Sequence, residues 1–129
     1  MPVRKRRQSV VLSLDVVAMM LTPWADYLSN IRRYAAPTVA AYLSDAKEFL
    51  GFIQSYKGEE VDFAHCATLT VSDYRSWMAS RARAGLSATS TMRALSAVRS
   101  LHRYWQREGR PMSSAIFDVS IRPKGIRVP

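Results

Sequence analysis

Arg93, Arg99, Arg103, Arg107 and Arg110 recur at intervals that gather them on one arc of roughly 120° if the segment winds as a helix. Thr89, Ser96 and Ser100 fill the gaps between them, and Met92 is the one apolar residue stranded on that side. A guanidinium is a planar fork of donors that suits phosphate oxygens and the acceptor edge of guanine. Small hydroxyls beside it donate to phosphates without blocking their approach. A solvated helix face ordinarily mixes signs, with acids and bases at i, i+4, and here the acids are missing. Residues 81–110 hold seven arginines and one acid, Glu108, whereas residues 22–60 hold four bases and five acids. The pattern suits the gripping of a polyanion. Leu95, Val98, Leu101, His102, Tyr104 and Trp105 share the other half of the helix. The aromatics therefore read as core, not as base-stacking platforms, which favours a duplex over a single strand.

The elements that must hold this face follow from the rest of the chain. Its 129 residues suffice for one domain with a real core, and 48% hydrophobic against 22% charged is ordinary for a globular protein. The net charge of +9 is not ordinary, and points to nucleic acid, an anionic surface or an acidic partner. Residues 1–13, with Arg4, Lys5, Arg6 and Arg7, read as a basic mobile arm that can add nonspecific affinity through counterion release. The apolar stretch after it superficially resembles an export signal. Asp15 interrupts it and no small-residue cleavage site follows, so export is not expected. No apolar run reaches membrane-spanning length. A single cysteine, Cys66, excludes an internal disulfide and fits a cytoplasmic location.

Thr22-Pro23 has the form of a helix start, a hydroxyl cap followed by proline, with Trp24, Tyr27, Leu28 and Ile31 at helical spacing. Residues 14–21 carry no deciding signal. A second helix is expected from Pro37 to Tyr56, through Val39, Tyr42, Leu43, Ala46, Phe49, Leu50 and Ile53, closed by Gly58 and followed by a loop of about ten residues. Thr70-Val71-Ser72-Asp73 resembles a capping box. It opens a third helix with Val71, Tyr74, Trp77, Met78 and Ala82 inward, and Gly85 sits where a left-handed cap belongs. The arginine helix is the fourth, from about Ser87 until Gly109 and Pro111 end it. One short turn is expected within 113–119. The closing IRPKGIRVP reads as an extended basic linker. No strand pattern and no repeat is visible. The expectation is an all-α protein, a compact bundle of four to five helices over residues 14–119, with a linker at 120–129.

Other residue types carry less chemistry. His65, Cys66 and His102 lack a third or fourth ligand at sensible spacing, so no metal and no cofactor are expected. His102 lies near the edge of the apolar stripe. Tyr27, Tyr42, Tyr56, Tyr74 and Tyr104 occupy core or boundary positions, where packing is the simplest role. Arg99 borders the apolar face and is expected to pair with Asp45 across two helices and fix their packing; the alternative is that it reaches a phosphate.

Three stretches together resemble a known family. Thr38, Tyr42, Asp45 and Phe49 form T-x-x-x-Y-x-x-D-x-x-x-F. Gly85-Leu86-Ser87 begins G-L-S-x-x-S, and Arg93 to Ser100 read R-x-L-S-A-V-R-S. In this order they are similar to the N-terminal core-binding domain of tyrosine site-specific recombinases, of the Xer or phage-integrase type, over roughly residues 14–129. The resemblance implies a SAM-like helical bundle. It implies one jaw of a clamp on a recombination half-site, with the second and fourth helices toward the major groove and a linker passing to a catalytic domain. Carried over by position, it places Thr38, Ala41 and Tyr42 near double-stranded DNA from the second helix, and Ser87, Thr89, Ser90 and Arg93 from the fourth. Arg103, within the arginine arc, joins them. Lys124 and Arg127 would touch phosphates from the linker. Two departures stand out. Ala35-Ala36-Pro37 replaces the family's usual Ser-Pro before the second helix, and Thr89 replaces a position that is often basic.

The family's strand transfer through a phosphotyrosine needs an Arg, Lys and His cluster and a nucleophilic tyrosine. This chain has no H-x-x-R and no tyrosine in such a context. The expectation is a non-catalytic piece of a recombinase, for DNA integration or chromosome-dimer resolution, whose partners are duplex DNA and other recombinase protomers on it. No membrane and no small-molecule ligand are expected. The alternative is a helical interaction module that sets its basic face against an acidic partner.

Overall fold

The computed structural model describes residues 12–120, and among them there is no strand. α1 (Leu14–Val16), a π-helical turn (Val17–Leu21) and α2 (Thr22–Asn30) run on without a break. Residues 14–21 are therefore helix, and the cap is Ser13, whose hydroxyl accepts the Val16 N–H at 3.1 Å. The expected cap at Thr22 is not one, because the chain is already wound when it reaches that residue. The Thr22 N–H bonds the Val17 carbonyl, an i to i−5 step. The wider π turn lies just ahead of Pro23, whose ring would crowd a regular preceding turn and which has no N–H to give. Leu12 packs against the core, so the arm expected over 1–13 loses its last two residues to the fold. Its Arg4–Arg7 cluster lies outside the described residues, and so do residues 121–129 of the linker expected at 120–129.

α3 (Ala36–Lys57) starts with Pro37 in its first turn and stops at Gly58, whose φ of +75° is the left-handed conformation that glycine adopts without strain. The long loop expected next contains α4 (Phe63–Ala67), capped by Asp62 through the His65 N–H at 2.9 Å. Five residues are too few to show a periodicity. α5 (Val71–Arg83) begins with the full capping box: the Asp73 N–H donates to the Thr70 hydroxyl at 3.2 Å, and the Thr70 N–H to the Asp73 carboxylate at 2.9 Å. α6 (Ala88–Arg107) is capped by Ser87, and a 3-10 turn (Ser114–Asp118) follows it.

α3 and α6 make the most extensive helix pair. Their buried faces hold Ala46, Phe49, Leu50 and Ile53 against Ala94, Leu95, Ala97, Val98 and Leu101. Three buried tryptophans tie the layers, and each indole N–H has an acceptor. Trp24 donates to the Ser100 hydroxyl at 3.1 Å, Trp77 to the Glu48 carboxylate at 3.0 Å and Trp105 to the Met20 carbonyl of the π turn at 3.2 Å. Leaving such a donor unpaired costs about 1–3 kcal/mol, so these bonds fix register as well as fill space. His102 is not at an edge but fully enclosed. Its Nδ1–H donates to the Val98 carbonyl and its Nε2 accepts the Tyr74 hydroxyl, both at 2.8 Å. Burial holds it neutral and lowers its pKa to about 4.

Candidate nucleic-acid interface

Seven arginines make residues 81–110 basic, but the fold spends them differently. Arg81 leaves the surface altogether, with 3% of its side chain exposed. Its Nη1 donates to Glu48 at 2.7 Å, its Nε to Thr91 at 3.0 Å and its Nη2 to Ser90 at 2.8 Å. It thus locks α3, α5 and the first turns of α6 together. Ala82, expected inward, is exposed instead. A charge count cannot distinguish a buried, fully bonded arginine from a solvated one.

The expected pair of Asp45 with Arg99 does not form. Asp45 is held by Arg93 in a two-bond fork, Nε at 2.8 Å and Nη2 at 2.9 Å. Arg99 lies six residues further on, about 9 Å along the α6 axis, level with the 3-10 turn. There it donates through Nη2 to the Val119 carbonyl and through Nε to the Ile116 carbonyl. It still fixes packing, but with different partners. The Asp45 side chain is 6% exposed and that of Arg93 50%. A buried carboxylate therefore grips one side of a guanidinium whose other edge, Nη1 and the outer hydrogen of Nη2, remains free for an acceptor.

The remaining arginines of the face are held without acids. The Arg103 guanidinium lies 5.3 Å from the centre of the Phe117 ring, and that of Arg110 lies 4.8 Å from Phe63. Arg107 sits 4.9 Å over Tyr27 and donates to its hydroxyl at 2.5 Å. Among the described residues, Arg81 and Arg93 are the arginines with a carboxylate within 4.0 Å.

The other residues singled out in the sequence fall around this strip. Thr38 is exposed in the first turn of α3, and Ala41 and Tyr42 are half-buried one turn later. Tyr42 stacks on Trp24 at 6.4 Å and meets the edge of Tyr34 at 6.1 Å, and burial raises its phenol pKa. Ser87 and Thr89 are exposed at the start of α6. The Ser87 hydroxyl accepts the Ser90 N–H at 3.0 Å, and the Ser90 hydroxyl accepts Arg81. An accepting hydroxyl keeps its own proton, so both can still donate to a phosphate. Lys124 and Arg127 lie outside the described residues. Sequence reasoning missed Arg32, in the turn before α3, because only the tertiary fold brings that turn to α6.

Residues 21–109 match the family model for the phage integrase N-terminal SAM-like domain. The chain belongs to this family. Among curated proteins it is similar to tyrosine recombinase XerC of Rickettsia conorii, 33% identical over 80% of this chain and 34% of that protein. XerC of Rickettsia typhi is 32% identical over 90% of the chain and 38% of the relative, and XerC of Bradyrhizobium diazoefficiens 34% identical over 78% and 31%. The chain thus spans about a third of the length of the curated relatives it matches. No solved structure matches. The SAM-like family assignment agrees with the all-helical fold, and the motifs that carried the resemblance, Thr38 to Phe49 and Gly85 to Ser100, all lie inside the matched segment. No described helix is long and apolar enough to cross a membrane.

Proposed function

We propose that this SAM-like domain is the core-binding domain of a tyrosine site-specific recombinase and docks on a duplex half-site through α3 and α6. The observation that carries the proposal is the acid-poor arginine strip along α6, with Arg93 braced by Asp45 at its α3 edge. Arg93 is the residue for a guanine edge. Half of its side chain is exposed and one edge of its fork is not taken by Asp45, and a bidentate contact is worth about 1–3 kcal/mol of discrimination. Thr38, Ser87, Thr89 and Ser90 supply hydroxyls for phosphates, Ala41 and Tyr42 supply close-fitting surface, and Arg103 supplies charge. Lys124 and Arg127 extend the phosphate contacts along the linker to a catalytic domain. Strand breakage and rejoining belong to that domain and not to residues 14–119, whose Tyr27, Tyr34, Tyr42, Tyr74 and Tyr104 pack on or in the core, while the exposed Tyr56 stacks on Phe52. Neighbouring protomers on the DNA complete the assembly, in the cytoplasm.

The test is fluorescence anisotropy with a palindromic recombination-type duplex and a scrambled one, over a salt series, for the wild type and Arg93→Ala. Preference for the palindrome, narrowed by Arg93→Ala, is the expected result. Retention no better than any polycation of charge +9 on both duplexes would overturn the proposal and move the basic face to an acidic protein partner.

A further inference from the structure

A groove of about 450 Å³ runs between the α2–α3 turn and the outer side of α6. Arg32, Arg99, Arg103 and Arg107 line it together with tyrosine and serine hydroxyls, and among the described residues no carboxylate lines it. Four guanidiniums around one groove repel one another, which disfavours the empty state. Yet the fold holds each of them in place. Arg32 lies 5.2 Å from the Tyr34 ring centre, Arg103 lies on Phe117 and Arg107 on Tyr27, while carbonyls anchor Arg99. An aromatic face immobilises a guanidinium without cancelling its charge and leaves its N–H edges free. The turn that carries Arg32 is itself strained: Arg33 has φ +56°, a left-handed conformation unusual for a residue with a side chain. Strain of this kind persists where the surrounding structure imposes it and clusters at binding sites.

We infer that this groove is a dedicated seat for the phosphodiester backbone of the bound duplex, separate from the base-reading edge at Arg93. The inference rests on the DNA-docking proposal and adds to it a second contact zone that is blind to sequence. An open groove suits a continuous strand that enters and leaves, whereas a free phosphate calls for an enclosed pocket.

The distinction is measurable in salt dependence. Removal of one phosphate interaction lowers the slope of log K against log salt by about 0.9, which shrinks the affinity change between 50 and 200 mM salt by about 3.5-fold. Arg103→Ala and Arg107→Ala should each do this equally on the palindromic and scrambled duplexes. Arg75→Ala removes the same charge from an exposed site on α5 outside the groove and should leave the slope unchanged. All of these side chains are exposed, and thermal melts confirm that each variant folds. If Arg75→Ala lowers the slope as much, the charge acts diffusely and the groove is refuted, though DNA docking stands. If the wild type binds neither duplex, both readings fall together. A third arm replaces chloride by inorganic phosphate at matched ionic strength. A phosphate-specific rise in melting temperature that Arg103→Ala abolishes, with DNA slopes untouched, would make the groove a small-anion site and overturn the assignment.

Discussion

Removing either half of the Arg93–Asp45 fork should have opposite electrostatic signs but the same functional direction. Arg93→Ala leaves the Asp45 carboxylate, 6% exposed, without its cation. Charge-assisted hydrogen bonds contribute about 1.5–3 kcal/mol, and solvent screening of the half-exposed Arg93 discounts this to about 1–2 kcal/mol. In a domain of this size that lowers the melting temperature by about 4–10 °C. Asp45→Asn preserves the shape and lets Arg93 return to water, so its cost should stay below about 1 kcal/mol. The double variant should recover part of the Arg93→Ala loss, with a coupling of about 1 kcal/mol. DNA binding separates bracing from charge. Asp45→Asn removes a negative charge from the proposed interface, so electrostatics alone strengthens binding to any duplex. If Asp45 instead orients the fork, palindrome and scrambled duplex converge, because a freed guanidinium loses its fixed geometry. Arg93→Ala should shrink the palindrome-to-scrambled ratio about 5- to 150-fold, and Asp45→Asn by less. The checks are thermal unfolding followed by circular dichroism and anisotropy on both duplexes. Should Asp45→Asn discriminate as well as the wild type while binding both duplexes more tightly, Asp45 is a mere neutralising neighbour and the bracing argument fails.

Arg99→Ala should lower the melting temperature more than it lowers DNA affinity, since Arg99 ties α6 to the Ile116 and Val119 carbonyls; a larger loss of affinity than of stability would make it chiefly a groove contact. His102 should favour the fold above pH 6.5 and penalise it below. Its folded pKa of about 4 is under the unfolded value, so the unfolded chain binds more protons as pH falls from 6.5 towards 4. By NMR its ring should stay neutral through pH 5. The half-buried His65, raised by its bond to Glu59, titrates above its ordinary value and opposes the trend weakly. A His102 resonance that titrates near 6.5 would contradict its burial. Cys66 is buried and its thiol is pushed up to about 12, so a maleimide should label it at the rate of opening and not of simple collision. Rapid labelling of the native protein would place it at the surface.

Much of this fold was legible because its signals are local. The spacing of Val39 to Ile53, the Thr70–Asp73 box, Gly85 and the Ser87 cap act within one or two turns, and each lies where the sequence puts it. Three features were not legible, for distinct reasons. Pro23 disfavours a regular turn before it but does not dictate a π turn in its place, and the Trp105 bond to the Met20 carbonyl that anchors this one comes from the far end of the chain. α4 is too short for a period. Arg81 looks like surface charge, because its three partners lie on α3 or in the first turns of α6. The candidate site was half legible. Helical geometry alone gathered the arginines on one face, but assigning Asp45 to Arg93 instead of Arg99 required the axial stagger of α3 against α6, which no single-helix pattern contains.

How the arginines are held bears on how such a face can work. Backbone carbonyls hold Arg99, but the other guanidiniums of this region are immobilised by a carboxylate, which cancels their charge, or by an aromatic face, which does not. This fold uses carboxylates where the guanidinium must hold a set position, as Arg81 does in the interior and Arg93 does where one edge must point a fixed way. It uses Phe117, Tyr27, Tyr34 and Phe63 where charge itself is wanted, at Arg103, Arg107, Arg32 and Arg110. Replacing those rings tests the logic without touching any charge. Phe117→Leu keeps Arg103 cationic and keeps an apolar residue at that site, but removes the π face. If preorganisation matters, affinity for both duplexes falls a few-fold with the salt slope intact, because the number of phosphate contacts is unchanged while the entropy cost of fixing Arg103 returns. If affinity is unchanged, net charge alone suffices and the aromatic supports serve only the core.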